Sequence, residues 1–496
     1  MQSSRPLLIG WAGTNLTPEW PTMLAGQFHG RVSEGVMDPL TGTALALESP
    51  AGDGPAEAAI LIGCDLLWIS NGLRDAVRAE LARMLPDFDS GKLVLHATHT
   101  HAAPDVRLVR EDVFPRGVGI PTRYGVSWTD LGIRPPDDYV QWAAQRLAAA
   151  AAQAWRGRAP GAVSYGLGHA VVGFNRRVVY RDGAARMYGD TADPDFSHIE
   201  GGADSDVNVL AVWDAERRLS GVLINVACPA QVDAQSFRVS ADYWHDLRLE
   251  LRRRLGEDLF VLPQCSAAGD QSPRVLIQKP AEERMERLAG RTQRQTMAVR
   301  IADAVTGLLP HIVGEADAAP RFAHRVETPA LTRRRITEAD ARDADAEAAD
   351  ARANYERMAD ELRSHPDRKQ TPRWYVPITQ ACRLLLSAER VRARYEEQDR
   401  AGPMPVELHA LRIGDVALVT NPFELYLDYG LRIKARSPAL QTFVAQLAGP
   451  GTYLPTERAV AGRSYGALPA NTPVGPEGGG ELVEVTLRRL NELWER

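Results

Sequence analysis

Cysteine is scarce in this chain. Four residues in 496, Cys64, Cys228, Cys265 and Cys382, have no close pairing and no C-x-x-C spacing. That excludes a disulfide framework and a structural zinc finger. Three of them sit in apolar, strand-like segments, where cysteine serves as a small buried hydrophobe. No run of about 18 apolar residues occurs, so no transmembrane helix is expected. The first ten residues carry one basic side chain and an apolar run too short for a signal-peptide core, which predicts a cytoplasmic protein. No basic block or aromatic-basic interleaving is present, and the formal net charge is -6, so a nucleic-acid partner is not expected. What remains, with 44% hydrophobic and 25% charged residues, is a globular chain long enough for two domains or one large domain with an insertion.

Histidine is also sparse, with 11 in the whole chain, yet three fall within residues 93–105, Leu-Val-Leu-His-Ala-Thr-His-Thr-His-Ala-Ala-Pro-Asp. Residues 93–95 read as a buried strand, and strand alternation puts His99 and His101 on one face, about 7 Å apart. Ligands bind at strand ends in open α/β sheets, and neutral imidazole is the commonest metal ligand. The plainer alternative is a pair of exposed loop residues or of core histidines satisfied by carbonyls.

Apolar runs and amphipathic segments alternate through the first 310 residues. Strands are expected at 58–69, 93–98, 207–212, 222–227 and 259–262, and helices at 73–84, 137–156 and 242–255, the last with Trp244, Leu247, Leu251 and Leu255 on one stripe. That order is α/β, with mixed sheets covered by helices. Residues 331–400 differ: 333–363 and 383–398 read as two helices split by a breaker at 365–372. They predict a helical hairpin (331–400) inserted into a catalytic domain formed by 1–330 and 401–496. Its role is a lid, an oligomer contact or, the favoured reading, a solvated excursion. Strands resume at 406–413 and 416–420, and a helix covers 482–494. No internal repeat is evident.

Thr98-His99-Thr100-His101-Ala102-Ala103-Pro104 resembles the T-H-T-H-[SA]-x-P signature of the neutral ceramidase family, zinc amidohydrolases that cut the N-acyl bond of ceramide. Further segments follow in that family's order. Gly13-Thr-Asn-Leu-Thr-Pro18, Leu24-Ala-Gly-Gln-Phe-His-Gly-Arg31 and Gly35-Val-Met-Asp-Pro-Leu40 resemble its N-terminal region, and Cys64-Asp65-Leu66 its first long strand. Asn175-Arg176 resembles its N-R segment, and Ala268-Gly-Asp-Gln-Ser-Pro273 its G-D-x-S-P loop. Pro422-Phe-Glu424 is similar to its P-G-E, and Tyr453-Leu-Pro-Thr456 with Tyr465-Gly466 to its two late tyrosines.

The resemblance implies one zinc ion per chain, with His99, Glu424 and Tyr453 as ligands. Taken alone, Glu424 could instead cap a helix beginning at Pro422, and Tyr453 could simply pack. The family places its remaining ligand in an A-x-H-P context, whereas Val226-Ala-Cys-Pro-Ala-Gln231 holds no histidine. His245, at a helix start, is the preferred replacement, ahead of Gln231 and Cys228. His101 is the candidate general acid or base. Asp270 and Ser272 are expected to orient water or substrate. Asn175 and Arg176 are expected to bind substrate, Arg176 and Tyr465 through an oxyanion or a substrate hydroxyl. Gly269-Asp-Gln-Ser272 is not a G-x-S-x-G elbow, so a serine nucleophile is disfavoured.

The expected activity is metal-dependent hydrolysis of an N-acyl bond in a small-molecule substrate. The alternatives are a metal enzyme for a soluble polar molecule, such as a glycoside or N-acyl sugar, and a metal-free binding protein. The family's ceramidases carry a C-terminal β-sandwich, while this chain ends about thirty residues after Tyr465. Residues 102–105, 457–463 and 471–475, beside the candidate ligands, are polar or small and supply little of the apolar rim a bilayer enzyme exposes. A polar substrate is therefore expected to be preferred over long-chain ceramide, in a chain that is a possible homo-oligomer.

Overall fold

The computed structural model describes residues 6–50, 56–111 and 119–495; part of the N-terminal segment read for a signal peptide, residues 1–5, lies outside them. Its architecture is one topological unit used three times. The first unit runs β1 (Leu8–Asn15), β2 (Thr41–Ser49), β3 (Glu57–Cys64), α1 (Asn71–Met84), β4 (Leu93–Ala97), α2 (Pro136–Arg156). The second runs β5 (Ala162–His169), β6 (Asp206–Trp213), β7 (Leu219–Val226), α3 (Tyr243–Leu255), β8 (Phe260–Cys265), α4 (Gln293–Ile312). In the third, β9 (Phe322–Glu327) leads into the inserted hairpin α5 (Glu338–Ser364) and α6 (Val376–Glu397). It continues through β10 (Leu408–Ile413), β11 (Val416–Thr420), α7 (Leu427–Arg436), β12 (Gln441–Ala445) and α8 (Pro476–Glu495).

Each unit forms its own sheet, with strand orders β4-β3-β2-β1, β8-β7-β6-β5 and β12-β11-β10-β9; a two-residue strand, Ala159–Pro160, extends the first beyond β1. The first three strands of a unit are antiparallel. The fourth pairs parallel with the third, as in Ile60↔Leu93, Gly221↔Phe260 and Val416↔Gln441, which is why a helix must cross between them. This repetition corrects the expectation of no internal repeat. It lives in topology, while the connections between first and second strands differ so much in length that no constant period survives in the sequence.

The three sheets pack inner face to inner face. Leu45, Leu61 and Val94 of the first meet Leu210, Leu223 and Leu262 of the second and Leu411, Leu418 and Phe443 of the third. Helices cover the outer faces: α1 and α2 place Leu73, Val77, Leu81 and Leu147 on the first sheet, and α3 and α4 place Trp244, Leu247, Ile301 and Val305 on the second. Ile433 of α7 and Leu487 and Leu490 of α8 cover the third. Burial on both faces explains the unbroken apolar strands. Helix α4 is long and apolar enough by composition to cross a bilayer, but Met297, Ala298, Ile301, Ala302 and Val305 are spent on the second sheet.

The strand expected at 58–69 stops at Cys64. Asp65, fully buried, turns the chain by accepting from the Thr41 amide (2.8 Å) and from Arg248 of α3 (2.7 and 3.0 Å). In the hairpin, α5 starts at a capping box between Thr337 and Asp340, and α6 begins earlier than the expected 383, at Val376. One side of the hairpin is solvated. The other docks on residues 22–34, where the Gly30 amide donates to Thr379 Oγ1 (2.8 Å) and the Val32 amide to Tyr375 Oη (2.9 Å). The hairpin is thus more than a solvated excursion.

All four cysteines are buried and unbridged. Burial pushes the Cys265 thiol up to about 12 and raises those of Cys64 and Cys228, and the thiolate is the reactive form. Native protein treated with a thiol-reactive chromophore is expected to release almost no colour over minutes, and four equivalents once unfolded. Fast labelling of a native thiol would show that one of these segments opens.

Candidate active site

The loops that leave the carboxyl ends of the third and fourth strands of all three units converge. Residues 98–101 follow β4, 227–231 follow β7, 266–272 follow β8, 421–424 follow β11 and 446–453 follow β12. They form the floor of one cavity of about 530 Å³, at the strand ends where α/β sheets bind ligands. The connections between first and second strands supply its walls: Gly26, Gln27 and Phe28 from the first unit, Arg176, Met187 and Tyr188 from the second, and Arg383 of α6 from the third.

His99 sits on the floor in a left-handed backbone conformation, φ 64°, a cost of order 1–3 kcal/mol that the surrounding structure must sustain. Strand β4 ends at Ala97, before His99, and the His99 and His101 rings meet edge-on with centroids 4.9 Å apart. His99 Nδ1 lies 2.8 Å from the Leu67 carbonyl. A carbonyl only accepts, so Nδ1 carries a proton, which leaves Nε2 facing a Glu424 carboxylate oxygen at 3.2 Å.

Glu424 does not cap a helix. It pairs in register with Tyr453 in a two-residue parallel ladder, Glu424↔Tyr453, which sets carboxylate and phenol side by side. Burial alone would raise the Glu424 pKa, but His99, Arg176 and the Tyr453 hydroxyl outweigh it and hold the carboxyl below its usual range. Burial, then the Glu424 charge, lifts Tyr453 well above an ordinary phenol. Arg176 donates to Tyr453 Oη (3.1 Å) and to the Gly269 carbonyl (2.8 Å). Its burial opposes charge, yet the neighbouring Tyr453, Tyr188 and Glu424 keep it a cation.

His101 is held on both sides. Its ring Nε2 lies 2.6 Å from the Gln231 amide, and the buried Arg31 guanidinium binds its main-chain carbonyl (2.5 Å). Burial, His99, Arg31 and Arg176 all push its pKa well below that of free imidazole, so the ring is neutral at neutral pH.

The other candidates divide. Ser272 and Tyr465 line the cavity with His99, His101, Arg176, Glu424 and Tyr453. Asn175 and Asp270 lie behind it: Asn175 Nδ2 donates to Asp270 Oδ2 (2.8 Å), and Asp270 Oδ1 accepts from the Leu427 amide at the start of α7 (2.9 Å). Both are positioning residues for the loop and the strand pair that carry Ser272 and Arg176.

The expected replacement ligand is not found at the cavity. His245 lies in the first turn of α3, outside the lining, because Asp242 caps that helix and its buried face is used by Trp244 and Leu247. Cys228 Sγ is turned toward the Val172 carbonyl (3.2 Å) and does not line the cavity. Of the three candidates only Gln231 reaches the site, and it does so through His101.

Sequence reading missed Tyr188. Its backbone is also left-handed, φ 56°, and its hydroxyl meets Ser272 Oγ at 3.2 Å. It follows a short strand, Ala185–Met187, in a small three-stranded ribbon, and no motif or period marks it.

Among the described residues, no three His, Cys, Asp or Glu side chains cluster as a metal site would need; the third donor beside His99 and Glu424 is the tyrosine oxygen of Tyr453. These three fit a zinc ion on one observation. His99 Nε2 and a Glu424 oxygen face each other at 3.2 Å, close enough to share one proton or one cation, and one nitrogen with two oxygens is a donor set zinc takes.

Three helix-covered sheets closing on one cavity define the architecture. No protein-family model and no curated protein matches the sequence. Solved structures do match: a neutral ceramidase from Pseudomonas aeruginosa superposes with a TM-score of 0.66 at 16% identity, covering 99% of this chain and 75% of that one. A ceramidase complexed with C2 gives the same score and identity over 99% and 76%. The chain has the neutral ceramidase fold.

Proposed function

We propose that this chain is a zinc-dependent hydrolase that cleaves the N-acyl bond of a small polar substrate. The observation that carries the reading is the His99–Glu424 pair, which lies beside Tyr453 and Arg176 in the cavity. His99, Glu424 and Tyr453 would hold the ion, which when bound supplies Lewis acidity and brings water ionisation toward pH ~7. Arg176, fixed by the Gly269 carbonyl, offers N–H donors and positive charge to the oxygen of an amide carbonyl as it becomes anionic. For His101 to take a proton from attacking water and return it to the leaving nitrogen, its Nε2 must exchange the Gln231 amide it accepts from (2.6 Å) for that water; Arg31 keeps the segment in place. Ser272, with Tyr188 against its hydroxyl, can orient the leaving group.

A polar substrate is favoured by the amide and guanidinium groups that Gln27, Gln231, Gln235, Arg274 and Arg383 place among the apolar lining residues Phe28, Leu67, Trp68, Met187, Val232 and Val275. A fluorescent long-chain ceramide in detergent, assayed beside soluble N-acyl and glycoside panels, is expected to turn over at least tenfold more slowly than the best soluble N-acyl compound. Ceramide turnover above every soluble substrate would restore a lipid function; glycoside cleavage without N-acyl cleavage would overturn the bond assignment.

A further inference from the structure

We propose that the substrate carries a carboxylate, bound by Arg383 of the inserted hairpin, with Arg274 on the other wall adding positive charge. The inference rests on the N-acyl reading for the end of the ligand that lies over Glu424.

Both guanidinium groups line the cavity, and among the described residues neither has a carboxylate within ion-pair distance. What sets these two apart from the other arginines without an ion pair, Arg176 beside Glu424 excepted, is that both line the same cavity. Each is held in place by neutral groups. Arg383 donates to the Gln27 carbonyl (3.0 Å) and lies over the Phe28 ring, 5.5 Å from its centroid. Arg274 lies over the Tyr188 ring at 4.9 Å. Such stacking fixes a guanidinium while leaving other N–H donors to meet a planar oxyanion.

Their placement relative to the floor is set by aromatic contacts. Phe28 under Arg383 meets the Tyr465 ring (4.7 Å), which meets Tyr453 (5.6 Å), the neighbour of Glu424. On the other side, Tyr188 under Arg274 reaches Ser272 (3.2 Å). The cations therefore lie outward of the reacting centre along two walls, where a group a few bonds from the scissile amide would arrive. Opposing charge is limited. Of the acidic groups on the helix Lys279–Ala289 that line the cavity, Glu282 pairs with Arg300 (2.9 Å) and Glu283 with Lys279 (3.6 Å), leaving Glu286. On the floor Glu424 is balanced by Arg176. At about 530 Å³ the cavity suits an N-acylated amino acid or a compound of that size.

Calorimetric titration of the full chain with N-acetylglycine and with N-acetylglycinamide tests this without requiring turnover. The carboxylate is expected to bind at least tenfold more tightly, and Arg383→Gln to bring the ratio close to one while the melting temperature holds. Equal affinity in the wild type, binding of neither probe at millimolar concentration, or a preference that survives in both Arg383→Gln and Arg274→Gln overturns the proposal. Inorganic phosphate binding as tightly as N-acetylglycine would also overturn it, by showing an anion site indifferent to the acyl amide. Carboxylate preference without hydrolysis of any N-acyl compound would instead refute the proposed function and leave the anion site standing.

Discussion

His99→Ala is expected to strip the protein of its metal and to lower N-acyl turnover by roughly 10³-fold or more, the equivalent of about 4 kcal/mol of transition-state stabilisation. The wild type, purified without an affinity tag, should contain about one zinc per chain by plasma emission spectroscopy. The variant removes the one nitrogen that faces Glu424 and leaves a buried carboxylate beside Tyr453 and Arg176. Two controls separate this from a general loss of histidine. His365, exposed at the hairpin turn, and His245, outside the cavity, should both be silent when changed to alanine. Full zinc occupancy in His99→Ala would remove that residue from the site, and with it the proposed chemistry.

Gly269→Ala should be nearly as damaging, although it touches no substrate. A Cβ at this position would lie 2.3 Å from the Glu424 carbonyl oxygen and 2.7 Å from its carbonyl carbon. Both are backbone atoms of the strand pair that aligns Glu424 with Tyr453, so no side chain can swing aside. Overpacking of this kind costs about 1–3 kcal/mol or more, and shifting a catalytic group by about 1 Å can cost 10²-fold. A fall of several degrees in melting temperature with about a hundredfold loss of kcat is the expected result. Near-normal kcat would show that the β8 loop does not fix Glu424. Gly462→Ala, whose nearest contact is the Ala185 side chain at 3.0 Å, should be far milder.

Much of this was legible in the residues. Strands buried on both faces announce themselves as apolar runs, and α3 showed its inward stripe, because burial leaves a local signature. The T-H-T-H and G-D-x-S-P segments pointed to His99, His101 and Ser272 because short loops at strand ends keep their chemistry contiguous. What was not legible depends on long-range geometry. The ladder joining Glu424 to Tyr453 links loops after two different strands, and His99 lies in a left-handed turn beyond the end of the strand whose alternation was assumed. His245 looked attractive because it opens a helix near the departure from the family pattern, but helix register is set by Trp244 and Leu247 against the second sheet. Tyr188 and the cavity-facing side of Arg383 have no sequence signal, since each acquires its place only when a connection from one unit folds over the floor shared by all.

That division between floor and walls has an evolutionary consequence. The floor is built from short loops pinned between parallel strands, where Gly269 shows how little room a side-chain change is given. The walls come from connections that already range from a short ribbon to a long helical hairpin without disturbing the sheets beneath. Such a scaffold can exchange one wall for another and so acquire a new clientele of substrates while its bond-breaking apparatus stays fixed. Loop grafting between members of this fold should accordingly transfer selectivity more readily than it transfers or destroys reactivity.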